Sequence, residues 1–543
     1  MPWAPTKPSS RSAEDFSCSS CLPAAINELR KFNADPLKKS NVAPIAVVNL
    51  STLLRAQNNF AEAADLLSKA RQLHEGPLAQ DPTRAAWIHL LRFHNGIALR
   101  EAGKLPEARA LFDQVVKQAP KSPEGVESAL RFGQCLKEEG LAKIEAGKKL
   151  LQAIKKPQES GPGEAAINEG LKSIRDASTF FETSAEQLKS LEGQQDLRAR
   201  MLYEAAWGLR IVAEPEVKAA RLVVAREMVK KMGPGAEKLP LPEPTFAMVP
   251  VQPSEAKART LYQSLIAQFG DTPLSLEARY ELAELFAQRN ENDPAAALLT
   301  EAMDKEPSAD LTERIRLRLG SIHAAKGNVK GALAQFDAVA LNPKSPHLGW
   351  AYYGAAEIHL KSENYGEAIK RLTIFRDNGQ YHNIPGLSDR ALLRLGHAYA
   401  MVKGWGESQQ AMERVVNQHG SSPWVDEARY GIAWAQQRQN NWDGAVNWYT
   451  QIVGRTATEL GAKAQHQIGV CRFAQKRYAD AANAFLAVAT TYDYKELTAA
   501  SLLEAAKAYR ENDQKDQAVR ILERVIREYP NTVFAEAAKE LMQ

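Results

Sequence analysis

The chain has 543 residues, 44% of them hydrophobic and 25% charged, and a formal net charge of +4. That length exceeds what one compact core organises, so several domains or a repeat architecture is expected. The charge is small and forms no concentrated basic stripe, which argues against nucleic-acid binding. No apolar run approaches the ~18–20 residues of a membrane-spanning helix.

Residues 1–22 read as a disordered tail. The stretch MPWAPTKPSSRSAEDFSCSS is polar and rich in Ser and Pro, and the sequence as given has no apolar segment of a signal peptide. Cys18 and Cys21 are the closest pair among the four cysteines. Zinc needs further ligands, and the nearest histidine is His74; a redox motif needs a βαβ setting that is absent. The two thiols read as incidental.

From about residue 42 the chain reads as successive pairs of helices. Leu54, Ala63 and Leu67 mark the first pair. In the second, HNGIALREAGKLPEARALFDQVVKQAP sets Gly96, Leu99, Ala108, Phe112 and Pro120 in the order G-x2-L…A-x3-F…P. Small residues let the two helices approach, Phe112 fills the space between them, and Pro120 ends the second helix. A third pair opens with Gly133 and Leu136, and its second helix is expected at Ala146, one place out of register. Further on, the small residue recurs at Ala295, Ala332, Ala368, Ser408, Ala445, Ala481 and Ala518, at intervals of 37, 36, 40, 37, 36 and 37. The near-identity of TPLSLEARYELA (272–283) and SPWVDEARYGIA (422–433) follows from this period. Each is predicted to open a helix with the hydroxyl as N-cap and Pro in the first turn. FAEAAKELMQ closes the chain as a capping helix.

These spacings resemble the tetratricopeptide repeat (TPR), a helix–turn–helix unit of about 34 residues. The resemblance covers most of the chain and implies an all-α fold, an α–α superhelix of about ten helix pairs. The linkers YPNT, NPKSP and GSSPW resemble those of bacterial cell-envelope TPR proteins, namely outer-membrane assembly lipoproteins and the Tol-Pal partner protein. An envelope location is what that likeness implies; the sequence otherwise reads as cytoplasmic.

Between Pro157 and Pro253 the period fails. PQESGPGE is predicted as a loop. Ile167, Leu171, Ile174, Phe181, Leu188 and Leu191 then follow helical spacing. Trp207, Gly208 and Ile211 take first-helix columns, and Ala258, Tyr262 and Leu265 second-helix columns. A pair split by an insertion at 214–254 is therefore expected, made of the basic amphipathic PEVKAARLVVAREMVKKM and a Pro-rich stretch of extended backbone. The resulting division is a tail (1–22), an N-terminal repeat block (23–155), long helices continuing the solenoid (156–213), the insertion (214–254), a C-terminal repeat block (255–530) and a capping helix (531–543).

No metalloprotease, phosphate-loop or nucleophile-elbow motif is present, so neither catalytic residues nor a cofactor or metal site is expected. Cys135 and Cys471 share one column of the first helix, which reads as a small buried slot. His323 and His359 share another and read as packing residues. In TPR proteins a concave groove is lined by the first helix of each pair. Carried onto this register, that face includes Tyr280, Arg318, Tyr353, Glu357, Arg394, His397, Tyr430, Trp434 and His466. Aromatic, Arg and His side chains in a trough suit an extended peptide or a helix from a protein partner. The Lys/Asn carboxylate clamp of chaperone-binding TPRs is missing from these columns. The expected function is a non-enzymatic scaffold for protein or peptide partners. The alternative is a self-associating or cell-wall-binding envelope protein, with an enzyme subunit as a third reading.

Overall fold

A computed structural model describes residues 21–153, 160–233, 241–270, 272–455 and 458–542. The tail expected at 1–22 lies almost wholly outside the described residues, Cys18 with it. Among the described residues the regular structure is entirely helical. Two compact units divide the described residues, one up to residue 312 and the other from residue 313 onward.

The first unit begins with α1 (Cys21–Arg30) and the pairs α2/α3 (Ala43–Ala56, Phe60–Ala79) and α4/α5 (Trp87–Glu101, Leu105–Gln118). The long helices α6 (Pro123–Ala153), α7 (Gly161–Gln187) and α8 (Gln195–Met232) follow, then α9 (Pro253–Phe269), α10 (Pro273–Gln288) and α11 (Asn292–Met303). The unit boundary falls within α12 (Ala309–Ala325), which pairs with α13 (Val329–Ala340). The second unit continues with α14 (Leu348–Lys361), a divided partner α15 (Tyr365–Leu372) and α16 (Ile374–Asp377), α17/α18 (Ser388–Met401, Trp405–Gln418) and α19/α20 (Val425–Arg438, Trp442–Val453). It ends with α21/α22 (Glu459–Ala474, Tyr478–Thr491), α23/α24 (Lys495–Glu511, Lys515–Glu528) and α25 (Val533–Met542).

One contact is repeated in pair after pair. A Cβ added at Gly96 would lie 2.6 Å from the Phe112 ring, one at Gly320 2.8 Å from Phe336, and one at Gly469 2.6 Å from Phe485. In α17/α18 the Met412 side chain takes the ring's place against Gly396, with its Cγ at 2.6 Å from an added Cβ. The small second-helix residues Ala295, Ala332, Ala368, Ser408, Ala445 and Ala481 are fully buried. Close approach of two helices therefore sets the period read from the sequence. Most of the turns between paired helices also place one residue at positive φ, such as Asn58, Asn290, Lys403 or Asn440.

Three local expectations are corrected. Thr272 does cap α10, its side chain accepting from the Ser275 N–H, but Ser422 does not cap α19, which starts three residues later at Val425. Ser422 instead accepts from the Trp424 N–H at 3.1 Å and donates to Asp389 at 2.7 Å, holding the turn before the helix. The expected loop PQESGPGE is partly helix, because Gly161–Glu164 form the first turn of α7; residues 154–159 lie outside the described residues. The third pair's second helix is not at Ala146, which is exposed within α6. It is the C-terminal half of α7: Ala177 and Phe181 are buried and take the usual positions, and the Phe181 ring packs on Gly133.

The fourth pair is lengthened in the same way. Ala205, Ala206, Ala258 and Tyr262 share one core, so α8 and α9 form the pair. The predicted basic segment is not a separate helix, since α8 runs unbroken for 38 residues through Pro215. The extended part of α6 and α7 packs through glycines spaced seven apart on both helices. A Cβ at Gly147 would lie 2.6 Å from the Gly163 carbonyl, and one at Gly170 2.5 Å from the Gly140 carbonyl. Residues 241–252 then return as extended chain with one short 3₁₀ turn, Phe246–Met248. Arg289 fastens this strap by donating to the carbonyls of Val249 (2.7 Å), Pro250 (3.1 Å) and Phe246 (3.4 Å) while pairing with buried Glu255 at 2.6 and 2.9 Å. The Phe246 ring lies 5.0 Å from the Arg221 guanidinium and 5.9 Å from that of Arg289.

Two outcomes test this packing. Gly170→Ala gains helix propensity of ~1 kcal/mol yet lowers stability by about 1–3 kcal/mol net in urea titrations followed by circular dichroism, because its methyl meets the opposing backbone. Gly161→Ala, where nothing lies within 4 Å, leaves stability unchanged. Arg289→Ala removes one partner of a buried ion pair, costing about 3 kcal/mol, and speeds amide exchange across 244–255 at least tenfold, while exchange in α2–α5 is unaffected.

Candidate functional site

Five first helices, α12, α14, α17, α19 and α21, carry eight of the nine sequence-selected residues, all within the second unit. Tyr280 is the exception: it belongs to the first unit and is buried, with 7% of its surface exposed. Arg318 sits half-buried on α12. Tyr353 and Glu357 lie on α14, Arg394 and His397 on α17, Tyr430 and Trp434 on α19, and His466 on α21.

Four polar contacts join these helices in sequence. Arg394 Nε donates to Glu357 Oε1 at 2.8 Å, linking α17 to α14. His397 Nε2 lies 3.7 Å from Glu427 Oε1, linking α17 to α19. Gln437 donates to Gln467 at 3.0 Å between α19 and α21, and His466 Nδ1 meets Ser501 Oγ at 2.9 Å between α21 and α23. Side chains one repeat apart thus meet along one helix face, as i and i+4 residues do within a single helix. Arg394, His397, Glu427 and Glu357 remain 37, 36, 37 and 28% exposed, so the strip is open to solvent.

The aromatic residues divide between two surroundings. Tyr353 hydrogen-bonds Glu357, and its hydroxyl pKa is raised by burial first and by that carboxylate second. Trp434 packs edge-on against Trp405 at 5.2 Å, with the Arg438 guanidinium 5.5 Å from its ring. Tyr430 packs edge-on against buried Tyr449 at 5.2 Å, and the Tyr449 hydroxyl donates to Gln437 at 2.9 Å. His466 packs on Phe485 at 5.1 Å. These contacts fix each ring from behind while part of it stays accessible.

Electrostatics at the centre of the strip follow from partial burial. His397 is pushed down to about 4 by burial and then by Arg394, so it is neutral at pH 7 and its contact with Glu427 is not an ion pair there. Burial raises the Glu427 carboxyl, and Arg394 pulls it back down. Sequence reasoning passed over Glu427, Arg390, Gln437 and Gln467. The signal was available for two of them, since Arg390 and Glu427 share one column 37 residues apart, and Arg390 stacks on Trp424 at 5.6 Å.

Burial pushes the thiols of Cys135 and Cys471 up to about 12, so neither is a nucleophile at neutral pH. No group of three His, Cys, Asp or Glu residues among those described is placed to hold a metal ion. No described helix is long and apolar enough to cross a membrane.

With this geometry in hand, the chain was compared with known proteins. Family models of the tetratricopeptide repeat match residues 48–123, 430–496 and 500–532, and a tetratricopeptide repeat-like domain matches 246–343. The chain is a tetratricopeptide-repeat protein. No curated protein matches its sequence. Similar solved structures include a TPR protein from Parabacteroides merdae, 18% identical, covering 49% of this chain and 99% of that one with a TM-score of 0.34. Pseudomonas aeruginosa pilF is 14% identical, covering 49% and 96% with a TM-score of 0.32. Yeast Tom70 is 13% identical, covering 84% and 96% with a TM-score of 0.32. At these scores the assignment rests on the repeat models and the helix pairing. Within this TPR protein, the matches do not single out the envelope group resembled by the linkers.

Protonation of His397 supplies a test. Its folded-state pKa of about 4 lies below the ordinary 6.5, so between those values the unfolded chain binds a proton that the folded chain does not. Stability contributed by this group is complete above pH 6.5 and is lost as pH falls toward 4. His397→Gln flattens the fall in urea midpoint between pH 7 and pH 4.5. A residual slope remains from His94, which burial and Arg55 also push down to about 4.

Proposed function

We propose that the TPR protein is a non-enzymatic scaffold, and that the strip on α14, α17, α19 and α21 is where a protein partner docks. One observation carries this reading: Tyr353, Glu357, Arg394, His397 and Glu427 gather on one partly exposed face through contacts between successive repeats. A face already held in register loses little conformational entropy when a partner arrives. Tyr, Trp and Arg are the residue types that dominate binding energy at interfaces. An extended peptide or an amphipathic helix fits a surface built from parallel helix faces. An envelope-assembly role rests only on the linker sequences and draws no support from the family matches.

Photo-crosslinking in cells distinguishes the readings. A benzophenone amino acid at position 353 or 397 is expected to capture a partner protein, while the same probe at exposed Gln410 on α18 captures none. Crosslinks from position 410 alone would move the site to the opposite helices. Dimers of the chain itself from 353 and 397 would replace the scaffold reading with self-association.

A further inference from the structure

The strip in the second unit is centred on one helix. Arg390, Arg394 and His397 of α17 follow the spacing i, i+4, i+7, so they share one face of that helix. The α14 side supplies Glu357, which accepts from Arg394, and Tyr353, which lies within electrostatic reach of Arg390. The α19 side supplies Glu427, 3.7 Å from His397, and Trp424, whose ring lies 5.6 Å from the Arg390 guanidinium.

Two charges on this face are left over. Arg394 and Glu357 neutralise each other. His397 is neutral at pH 7, so Glu427 touches no cation, and Arg394 acts on it only from a distance. Arg390 is exposed and makes no ion pair among the described residues. The carboxylate next to it in sequence, Asp389, is occupied by the Ser422 hydroxyl. Stacking on Trp424 holds the Arg390 guanidinium plane and leaves the N–H groups at its rim free for a carboxylate.

The separation of these two charges selects the shape of an occupant. Arg390 and His397 are seven residues apart on α17, a rise of about 10 Å along its axis, and Glu427 sits beside His397. Residues seven apart on a second helix have the same rise and the same face. A strand does not match, because its same-face residues are about 7 or 13 Å apart. Resting on the reading of this strip as a docking surface, we infer that its occupant is a partner helix lying alongside α17. That helix carries an acidic residue at Arg390 and, seven positions away, a basic residue at Glu427. Opposite charge at both ends fixes which way the helix lies, since turning it end for end sets like charges against each other.

The test is selection of a displayed library of random peptides, about 20 residues long, on the full chain. Wild type is expected to enrich helix-forming peptides in which Asp or Glu stands seven residues from Lys or Arg. The charge-swapped variant Arg390→Glu/Glu427→Arg is expected to bind a selected peptide about tenfold more weakly. Exchanging the two charges of the peptide as well is expected to restore binding, and that recovery also shows that the variant is folded. Selected peptides that crosslink to a benzophenone at position 353 yet show no acid–base spacing of seven would overturn this inference and leave the docking strip standing. Equal binding of one peptide by wild type and the swapped variant would do the same. If no selected peptide crosslinks from position 353, the docking reading itself fails, and this inference with it.

Discussion

The close approach of paired helices, a small residue on one against a ring on the other, is the contact on which the rest of this structure depends. Gly96 against Phe112 and Gly469 against Phe485 are the same event more than 370 residues apart. Burying each such ring contributes about 1.5–3 kcal/mol, and in a repeat protein each unit draws its stability from its neighbours. Neither helix of a pair has another way to cover its apolar stripe. The spacing between the small residue and the ring is therefore held, while surface positions vary.

That constraint acts on contacts and leaves connections free. Gly133 still receives a phenylalanine, but the ring comes from Phe181, after both helices have run outward and back. The cost of closing a longer connection rises only slowly with its length, and here the added residues are themselves helical. Gly140, Gly147, Gly163 and Gly170 allow the added lengths of α6 and α7 to pack backbone to backbone. The strap on α8 is secured differently, by the five donors of one guanidinium shared among three carbonyls and a carboxylate. The two devices secure lengths of chain that an unmodified repeat lacks.

In the second unit the period has a further consequence. Different columns of neighbouring first helices are brought side by side, Arg394 reaching back to Glu357 and His397 meeting Glu427, so these four residues gather although about 70 residues separate the first from the last. Each bond in this ladder is partly exposed and weak by itself. Its effect is to orient Tyr353 and the charged groups on one face, so the proposed docking strip is ordered before a partner binds. Trp434 and Tyr430 are backed by Trp405 and Tyr449, so the neighbouring repeat and the pair's own second helix determine how these rings are presented.

The sequence by itself determined the helix class, the repeat and the register from Ala295 to Ala518, because small and aromatic residues at fixed separations have one efficient helical packing. It also placed the helix face on which the candidate residues lie. Tertiary structure decided which second helix completes the third pair. Ala146 and Ala177 both offer a small residue, and only packing against Gly133 selects the helix bearing Ala177 and Phe181. It also decided that Ser422 holds a turn while Thr272 caps a helix, since Asp389, 33 residues earlier, claims the serine hydroxyl. Burial separated Tyr280 from the open strip. Periodicity reports what one helix presents, whereas exposure depends on neighbours that lie far away in the chain.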